Sequence, residues 1–368
     1  MAKLTRRGFM GSMLAAPAIL AAPALIRSAH SQEKRKITFT LPFLAEGGNA
    51  YAYVAKAKGY WDELGLDVTI SRGYGSVAAS QAIAAGQFQF GLAVPTSSIQ
   101  QSAKGLGLVA IACAGYDATM GICLLNSSPI HKPADLAGKK MASVVTSGEH
   151  PFLPAFAKIT GFDLKSVEIV QTDPNVRQRL LVSGQVDCMS GFAVSFIPPL
   201  ISQNYQAHAM LYSDYGLTLY NNTLLTQPAM LEKEPKLCAD VAAGLIKGIK
   251  YTLLEPEDSI KLFVKEVPET ALSQGGVERT RLGLGIFANS ILHEELQKYP
   301  IGYSVPADYE EMTELVMKYV ASPDDKAPKL KDVMSNDFIG SIKLTPEEWT
   351  KAKANAEPFR KYLSEKAG

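Results

Sequence analysis

The chain has 368 residues, 20% of them charged and 47% hydrophobic, which is ordinary for a soluble globular protein of about two domains. Its formal net charge is +1, and no basic patch favours nucleic acid as a partner. The four cysteines form no C-x-x-C pair and lack a histidine at metal-ligand spacing, so we expect neither a metal nor another cofactor. Cys113 and Cys123 fall in apolar segments typical of buried thiols. If the protein is exported, one disulfide bond is an alternative that the sequence leaves open.

The N-terminus has the pattern of an export signal. Arg6 and Arg7 precede a weakly hydrophobic, alanine-rich stretch that Pro17 and Pro23 interrupt. Together with the small residues around His30, this pattern predicts a twin-arginine (Tat) signal peptide over residues 1–31 and a periplasmic location. A transmembrane anchor is the alternative, but the apolar run is short and mild for a membrane span.

The first half of the chain predicts strands that alternate with helices. In its best-defined stretch, 73–97, a glycine turn precedes a short alanine-rich helix capped by Ser76, and Gly86 ends that helix before an alternating strand over 88–94. The open N-terminus of this helix is suited to an anion or another polar group. Three further strands are predicted: one over 36–43, one that ends at Ile70 and one over 105–114. Helices are predicted at 50–58 and 97–104. This alternation predicts a mostly parallel sheet with helices on both faces.

A weaker copy of that stretch lies at 171–192, where a helix ends at Gly184 and a strand follows over 185–189. The copy indicates either two lobes built alike or two unrelated helix–glycine–strand joins, and the residues alone leave both open. Around it, strands are predicted at 141–145, 167–171 and 207–212, with a helix at 152–160. We expect crossovers between lobes at about 115–121 and 215–221, and then a chiefly helical chain at 228–254, 256–266, 276–295, 306–320 and 345–365.

Several loose motifs follow one another in the order of a known family. They are Lys-Gly-Tyr-Trp-Asp-Glu-Leu-Gly-Leu-Asp-Val at 58–68, Ala-Ile-Ala-Ala-Gly-Gln-Phe-Gln-Phe-Gly at 82–91, Pro-Ala-Asp-Leu-Ala-Gly-Lys-Lys at 133–140 and Val-Ser-Gly-Gln-Val-Asp-Cys at 182–188. Through them the chain, from residue 36 to about 320, resembles the substrate-binding proteins of nitrate/sulfonate/taurine-type ABC importers. These are related to proteins that bind hydroxymethylpyrimidine-like thiamine precursors.

The resemblance implies a type II periplasmic binding protein fold, in which two α/β lobes are joined by two crossovers with a ligand cleft between them. It places 32–118 in the first part of lobe 1, 119–215 in lobe 2, and 216–368 in the return to lobe 1 and the C-terminal helices. Ligands of such sheets bind at the carboxyl ends of the strands. The loops at those ends supply the candidate ligand-binding residues: Phe43, Glu46, Asn49, Tyr74, Gly75, Ser76 and Thr96 in lobe 1, Ser147, Gly148, Glu149, His150 and Phe192 in lobe 2, and Tyr220 near the return crossover.

These candidates differ in the interactions that they offer. Gly75 and Ser76 are expected to donate hydrogen bonds to a ligand oxygen from one side of the cleft, and Ser147 and Gly148 from the other, with plain helix capping as the alternative. The aromatic candidates are suited to stacking on a ring, with core packing as the alternative: Phe43, Tyr74, Phe192 and Tyr220.

Two carboxylates bear on the charge of the ligand. Glu46 and Glu149 fall in two cleft loops, where carboxylates repel a sulfonate or nitrate and attract an amine or an aminopyrimidine. If both side chains point to solvent, they carry no information about the ligand. His150 beside Glu149 is suited to hydrogen bonding or titration, with a surface position as the alternative.

We therefore predict a periplasmic solute-binding protein, a monomer without catalytic residues, that delivers a small organic nitrogen compound to an inner-membrane ABC permease. The compound is expected to be an aminopyrimidine or to resemble a thiamine precursor, and a sulfonate, nitrate or other small anion is the alternative. An enzyme like those of pyrimidine biosynthesis is a further alternative, although the chain has no G-x-S-x-G elbow, no G-x-x-x-x-G-K-[ST] loop and no H-E-x-x-H helix. A ligand sensor coupled to a membrane receptor also stays open.

Overall fold

The computed structural model describes residues 33–363, so the predicted signal peptide over 1–31 lies outside the described residues. Within them, strands form two five-stranded sheets. The strands are β1 Arg35–Thr40, β2 Leu66–Ser71, β3 Phe90–Ala93, β4 Val109–Cys113, β5 Met120–Leu125, β6 Lys140–Ser143, β7 Glu168–Gln171, β8 Cys188–Phe192, β9 Ala207–Leu211 and β10 Thr223–Thr226.

Each lobe is built on one of these sheets. The strand order is β2-β1-β3-β10-β4 in lobe 1 and β7-β6-β8-β5-β9 in lobe 2. In lobe 1, β1 is parallel to β2 and β3, whereas β10 is antiparallel to both of its neighbours, β3 and β4. In lobe 2, β6 is parallel to β7 and β8, and β5 is antiparallel to β8 and β9. Four strands of each sheet are thus parallel, as predicted. The fifth strand, β10 in lobe 1 and β5 in lobe 2, follows a crossover from the other lobe and is antiparallel to its neighbours.

The two sheets have the same strand topology. Together the lobes form the two-lobe α/β architecture with two crossovers that the sequence predicts. The helix Ser76–Ala84 (α2) leads through Gly86 into β3, and the helix Arg177–Val182 (α5) leads through Gly184 into β8. Both glycines adopt left-handed backbone angles, with φ of +74° and +71°. The copy seen in the sequence is therefore a structural repeat. The exact lobe boundaries drawn from the sequence stay a prediction.

The strand after Gly86 differs from the prediction in two ways. It begins at Phe90 rather than residue 88. Just before it, the Thr38 N–H donates to Gln89 Oε1 at 3.1 Å, and the Gln89 N–H donates to Thr38 Oγ1 at 3.1 Å and to the Thr38 carbonyl at 3.2 Å. All four residues of β3 are buried instead of alternating between core and solvent. Continuous burial is expected where helices cover both faces of a sheet.

Short helices connect the strands, and two of them correct the sequence prediction. These helices are α1 Ala50–Ala57, α2 Ser76–Ala84, α3 Pro95–Ala103, α4 Leu153–Thr160, α5 Arg177–Val182 and α6 Ala193–Ile201. Helix α3 begins at Pro95, earlier than predicted, because proline is well suited to a first helical position. The sequence does not predict α6, because Pro198 and Pro199 lie inside it and prolines usually interrupt helices.

The C-terminal region is helical, as predicted, and it covers both lobes. Its helices are α7 Pro228–Lys233, α8 Pro235–Leu254, α9 Pro256–Glu266, α10 Glu269–Leu272, α11 Gly276–Ile291, α12 Glu295–Lys298, α13 Pro306–Tyr319, α14 Leu330–Val333 and α15 Pro346–Ala356. The helix predicted over 228–254 is split at Glu234, because the residue before a proline is held out of the helical conformation. Helix α8 packs on α1, and α11 packs on α6 and on the 3₁₀ turn Gly47–Asn49.

The cysteines and the helices bear on two further expectations. All four cysteines are buried and unpaired, so the buried thiols predicted at Cys113 and Cys123 are confirmed. No helix among residues 33–363 is long and apolar enough to cross a membrane.

The two lobes touch each other across the cleft. The Val77 N–H donates to the Thr146 carbonyl at 3.0 Å, and the Thr146 hydroxyl donates to the Tyr74 carbonyl. Ser195 on α6 donates to the carboxylate of Glu46, which precedes α1. The lobes are therefore closed on each other.

Gly75 allows this close approach. Its φ of +121° and ψ of 151° lie in a region that is essentially restricted to glycine. A Cβ at this position would stand 2.1 Å from the Thr146 carbonyl oxygen of the opposite lobe.

We expect Gly75→Ala to open the lobes. The added methyl group cannot stand against Thr146 in the closed form, whereas the open form lets the backbone of residue 75 relax. Small-angle X-ray scattering should show a larger radius of gyration for this variant than for the native protein.

Gly184→Ala is the matched control. Gly184 also has a positive φ, but no atom lies within 4 Å of a Cβ built on it. Gly184→Ala should lose about 1–2 kcal/mol of unfolding free energy in urea denaturation, which is the cost of a left-handed non-glycine residue, and its lobes should stay closed. Equal radii of gyration for the two variants would contradict the prediction.

Candidate functional site

A cavity of about 30 Å³ lies between the closed lobes. It is surrounded by segments that follow the carboxyl ends of β1, β2, β6, β7 and β8 and by the segment that precedes β10, as expected for a switch point of α/β sheets. We call it the inner cavity. Its lining consists of Pro42, Phe43, Glu46, Gly48, Asn49, Gly75, Ser76, Ser147, Arg177, Phe192, Val194, Ser195, Asn221 and Asn222.

The structure brings seven of the predicted residues to this cavity and leaves six out of its lining. Those that line it are Phe43, Glu46, Asn49, Gly75, Ser76, Ser147 and Phe192. Those outside the lining are Tyr74, Thr96, Gly148, Glu149, His150 and Tyr220.

Two predicted aromatic residues lie elsewhere for clear reasons. Tyr74 is 57% exposed, and its ring lies under the guanidinium of Arg72, 4.4 Å from the ring centroid. The Tyr220 hydroxyl donates to Asp308 Oδ2 at 2.6 Å, and its ring packs edge-on against Tyr116 and Tyr309. Tyr220 therefore packs in the core near the crossover, which is the alternative stated for it.

The hydroxyl groups are placed less freely than the sequence suggests. Ser76 is the first residue of α2 rather than its N-cap, which is Gly75, and the Ser76 hydroxyl accepts a long 3.4 Å bond from the Val94 N–H. Ser147 donates its hydroxyl hydrogen to Glu149. Thr96 is buried, and its hydroxyl has no partner within residues 33–363.

Glu149 belongs to a buried polar network behind the cavity wall. Its carboxylate is fully buried and accepts from Ser147 and, at 3.0 Å, from Ser190. The Ser190 hydroxyl contacts that of Ser143 at 2.8 Å, and Ser143 Oγ lies 2.7 Å from His150 Nδ1. Burial lowers the pKa of His150, which favours the neutral ring. Gly148 lies against Val94, Ser76 and Phe192, which leaves no room for a side chain.

Glu46 reaches the cavity itself. Its loop is held by Asn49, whose Oδ1 accepts from the Glu46 N–H at 3.1 Å and whose Nδ2 donates to the Leu44 carbonyl at 2.8 Å. Burial raises the pKa of Glu46 from its usual 4.5 to about 7, although the hydrogen bond from Ser195 and the charges of Arg177 and Arg279 lower it. Glu46 can therefore accept hydrogen bonds as a carboxylate or donate one as an acid near neutral pH.

Arg177 is a charged residue of the cavity lining that was not predicted from the sequence. It is the first residue of α5, the position that Ser76 holds in α2, and it is 1% exposed. Its Nη1 donates to the Ser190 carbonyl at 3.3 Å, but its Nε and Nη2 have no partner within residues 33–363. Burial lowers its pKa, while Glu149 and Glu46 raise it. A buried guanidinium with free N–H groups facing a cavity indicates a ligand oxygen or other acceptor.

The guanidinium carbon of Arg177 also lies 5.1 Å from the ring centroid of Phe43, within the range of a cation–π contact. The internal copy does not identify Arg177 either, because its register, which pairs Gly86 with Gly184, places Arg177 opposite Ala79. Ser195 and Asn222 also line the cavity without having been predicted.

No cluster of three histidine, cysteine, aspartate or glutamate side chains suited to a metal ion occurs among the described residues.

Comparison with known proteins identifies the family of this chain and several of its relatives. Residues 49–259 match the family model described as NMT1/THI5 like. The chain is 22% identical to the formylaminopyrimidine-binding protein of Halalkalibacterium halodurans, over 71% of this chain and 83% of that protein. It is 21% identical to the 4-amino-5-hydroxymethyl-2-methylpyrimidine phosphate synthase of Legionella pneumophila, over 72% of this chain and 84% of that protein.

A solved structure supports the same fold. The alkanesulfonate-binding protein SsuA from Xanthomonas axonopodis pv. citri, bound to MOPS, superposes with a TM-score of 0.62 at 17% identity, covering 82% of this chain and 99% of that one. The periplasmic binding protein fold predicted from the sequence is therefore confirmed.

The titration of Glu46 should be visible in stability. Because its pKa is raised from 4.5 in the unfolded chain to about 7 in the folded protein, the folded state holds the proton more tightly between these values. Its contribution to stability is therefore fully present below pH 4.5 and is lost as the pH rises through about 7. We expect the unfolding free energy of the native protein, relative to Glu46→Gln, to fall across this range in urea denaturation.

Ser195→Ala provides a second variant. Its hydroxyl lowers the pKa of Glu46, so its removal should move the fall in stability to higher pH. Parallel stability curves for the native protein and Glu46→Gln would contradict a raised pKa.

Proposed function

Because the chain belongs to the NMT1/THI5-like family, we propose that it captures a small organic nitrogen compound between its lobes and delivers it to an ABC permease. One observation carries this proposal: Glu46 and Arg177 line the same cavity, and the Nε and Nη2 groups of Arg177 have no hydrogen-bond partner among residues 33–363. An aminopyrimidine offers N–H donors to a carboxylate and ring or acyl acceptors to a guanidinium, so it matches both groups at once.

The rest of the cavity supports a flat ring. Phe43 and Phe192 line it, and aromatic side chains stack on heteroaromatic rings at little cost in conformational entropy. Asn222 and Asn221 add amide groups at the return segment, although Asn221 already donates to Ser290 Oγ at 3.1 Å. The name of the Halalkalibacterium halodurans relative, a formylaminopyrimidine-binding protein, supports the same class of ligand.

The closed form is too tight for such a ring. A cavity of about 30 Å³ holds little more than a pair of water molecules, whereas about 150 Å³ is needed for a benzene-sized ring. Binding therefore requires the lobes to part and to close again around the ligand, which is the usual hinge motion of two-lobed binding proteins. Closure around the ligand would bring the two lobes together again and present one composite surface to a permease.

A small anion is the second candidate ligand, because Arg177 offers buried N–H groups that have no partner among residues 33–363. The similarity to an alkanesulfonate-binding protein is compatible with it. Against it stand Glu46 in the cavity and Glu149 behind the wall, which both repel an anion when ionised.

We further propose that the protein performs no chemistry on its ligand, although one relative is named a synthase. Burial raises the pKa of the Cys113 and Cys188 thiols to about 12 and that of Cys238 to about 11, so none of these is a ready nucleophile near pH 7. Mass spectrometry of the ligand recovered after incubation should show it unchanged, and any turnover would overturn this part of the proposal.

Location and assembly follow the same proposal. We place the mature protein in the periplasm after Tat export, as a monomer that docks on an inner-membrane permease. A receptor in place of the permease is the alternative, and genes for a permease and an ATPase beside this one would favour import.

A ligand screen by thermal unfolding tests the proposed class. We expect formylaminopyrimidine or 4-amino-5-hydroxymethyl-2-methylpyrimidine to raise the melting temperature, because a ligand at a hundredfold excess over its Kd stabilises the folded state by about 2.7 kcal/mol. Taurine, ethanesulfonate and nitrate should leave it unchanged. Stabilisation by the anions alone would replace the proposal with the second candidate.

Glu46→Gln separates the two candidates by sign. We expect its affinity for the aminopyrimidine to fall by about 1.5–3 kcal/mol in isothermal titration calorimetry, the value of a hydrogen bond to a charged group. For a small anion the same change removes a repelling charge, and the affinity should rise. Glu310→Gln on α13, an exposed carboxyl away from the cavity, is the matched control and should change neither affinity.

A further inference from the structure

A larger cavity adjoins the inner cavity. Its volume is about 850 Å³, against about 30 Å³ for the inner cavity. Phe43, Glu46, Val194 and Ser195 line both, so these four residues form the partition between them. We call the larger cavity the outer chamber. Its volume lies within the range of sites that hold small organic molecules.

The outer chamber has more cationic side chains than its own acids neutralise. Its lining includes Arg72, Arg179, Arg279 and Lys56. Lys56 lies 4.0 Å from Glu266, so its charge is met within the chamber. Among residues 33–363, the arginines that form salt bridges are Arg35 and Arg281, so the three chamber arginines form none, although the charge of Arg279 acts on Glu46.

The remaining acids do not cancel this surplus. Glu46 already accepts from Ser195, and burial raises its pKa to about 7, so it is only partly ionised near neutral pH. Glu269 is then the one further acid of the lining to set against three guanidinium groups. One of these, Arg72, is held over the Tyr74 ring and has a buried Nη2 with no partner in the described part of the chain.

We propose that the outer chamber binds an anionic group, a phosphate ester or a carboxylate, carried by the ligand whose ring occupies the inner cavity. This inference rests on the proposed function and defines its ligand more closely. Guanidinium groups bind such oxyanions through paired N–H donors, and three of them line one chamber. A ligand that spans both cavities passes between Glu46 and Ser195 and replaces their hydrogen bond.

Paired ligands test the inference. The probes are 4-amino-5-hydroxymethyl-2-methylpyrimidine and its phosphate ester, titrated into the full-length mature protein at low and high salt. We expect the ester to bind at least about tenfold more tightly at low salt, and this preference to shrink at high salt because exposed charges are screened.

The double variant Arg179→Gln with Arg279→Gln should abolish most of that preference. The measured quantity is the ratio of the two affinities within one variant, so any general effect of the substitutions on ring binding cancels. Arg360→Gln, an exposed arginine in the last 3₁₀ segment, is the matched control and should keep the native ratio. Melting temperatures of the variants report whether they fold.

Each remaining outcome counts against the inference. Equal affinities for ester and free pyrimidine in the native protein, or an unchanged ratio in the double variant, overturn the outer subsite and leave the proposed function intact. Absence of binding for both compounds overturns the proposed function together with this inference.

Discussion

The structure depends on the burial of opposite charges where two lobes meet. Arg177 is nearly inaccessible, Glu149 is fully buried, and Glu46 is held against Ser195 of the other lobe. Charges in such surroundings are costly unless they are paired or hydrogen-bonded. The serine network satisfies Glu149, but two nitrogens of Arg177 are left without a partner in the described chain. These two nitrogens line the inner cavity, and for that reason we propose that the ligand supplies their acceptor there.

Sequence patterns predicted the architecture well because it depends on local signals. The glycine-terminated helices, the crossovers and the loops at strand ends all leave marks in the chain, and Phe43, Glu46, Ser76 and Ser147 followed from them. Arg177 did not, because an arginine on a short polar helix is usually solvated and only tertiary packing buries it. Tyr74 is the opposite case: it was predicted to line the cleft but is exposed, because a position in a loop does not determine the direction of the side chain.

Where the prediction of secondary structure departed from the fold, the reasons are also tertiary. Gln89 and Thr38 exchange hydrogen bonds through their side chains just before β3, in a segment that the sequence predicted as strand. Helix α6 accommodates two prolines within nine residues and still supplies Ser195 to the cleft. Neither arrangement is visible in periodicity, because each depends on a neighbour that lies far away in the chain.

The position of β10 has a consequence for biosynthesis. All strands of the lobe 2 sheet lie between Met120 and Leu211, so that sheet can assemble as soon as this segment has left the ribosome. The lobe 1 sheet lacks an inner strand until Thr226 is made, because β10 separates β3 from β4. The lobe 1 sheet can therefore be completed only after all strands of the lobe 2 sheet have been made, although lobe 1 begins first in the chain.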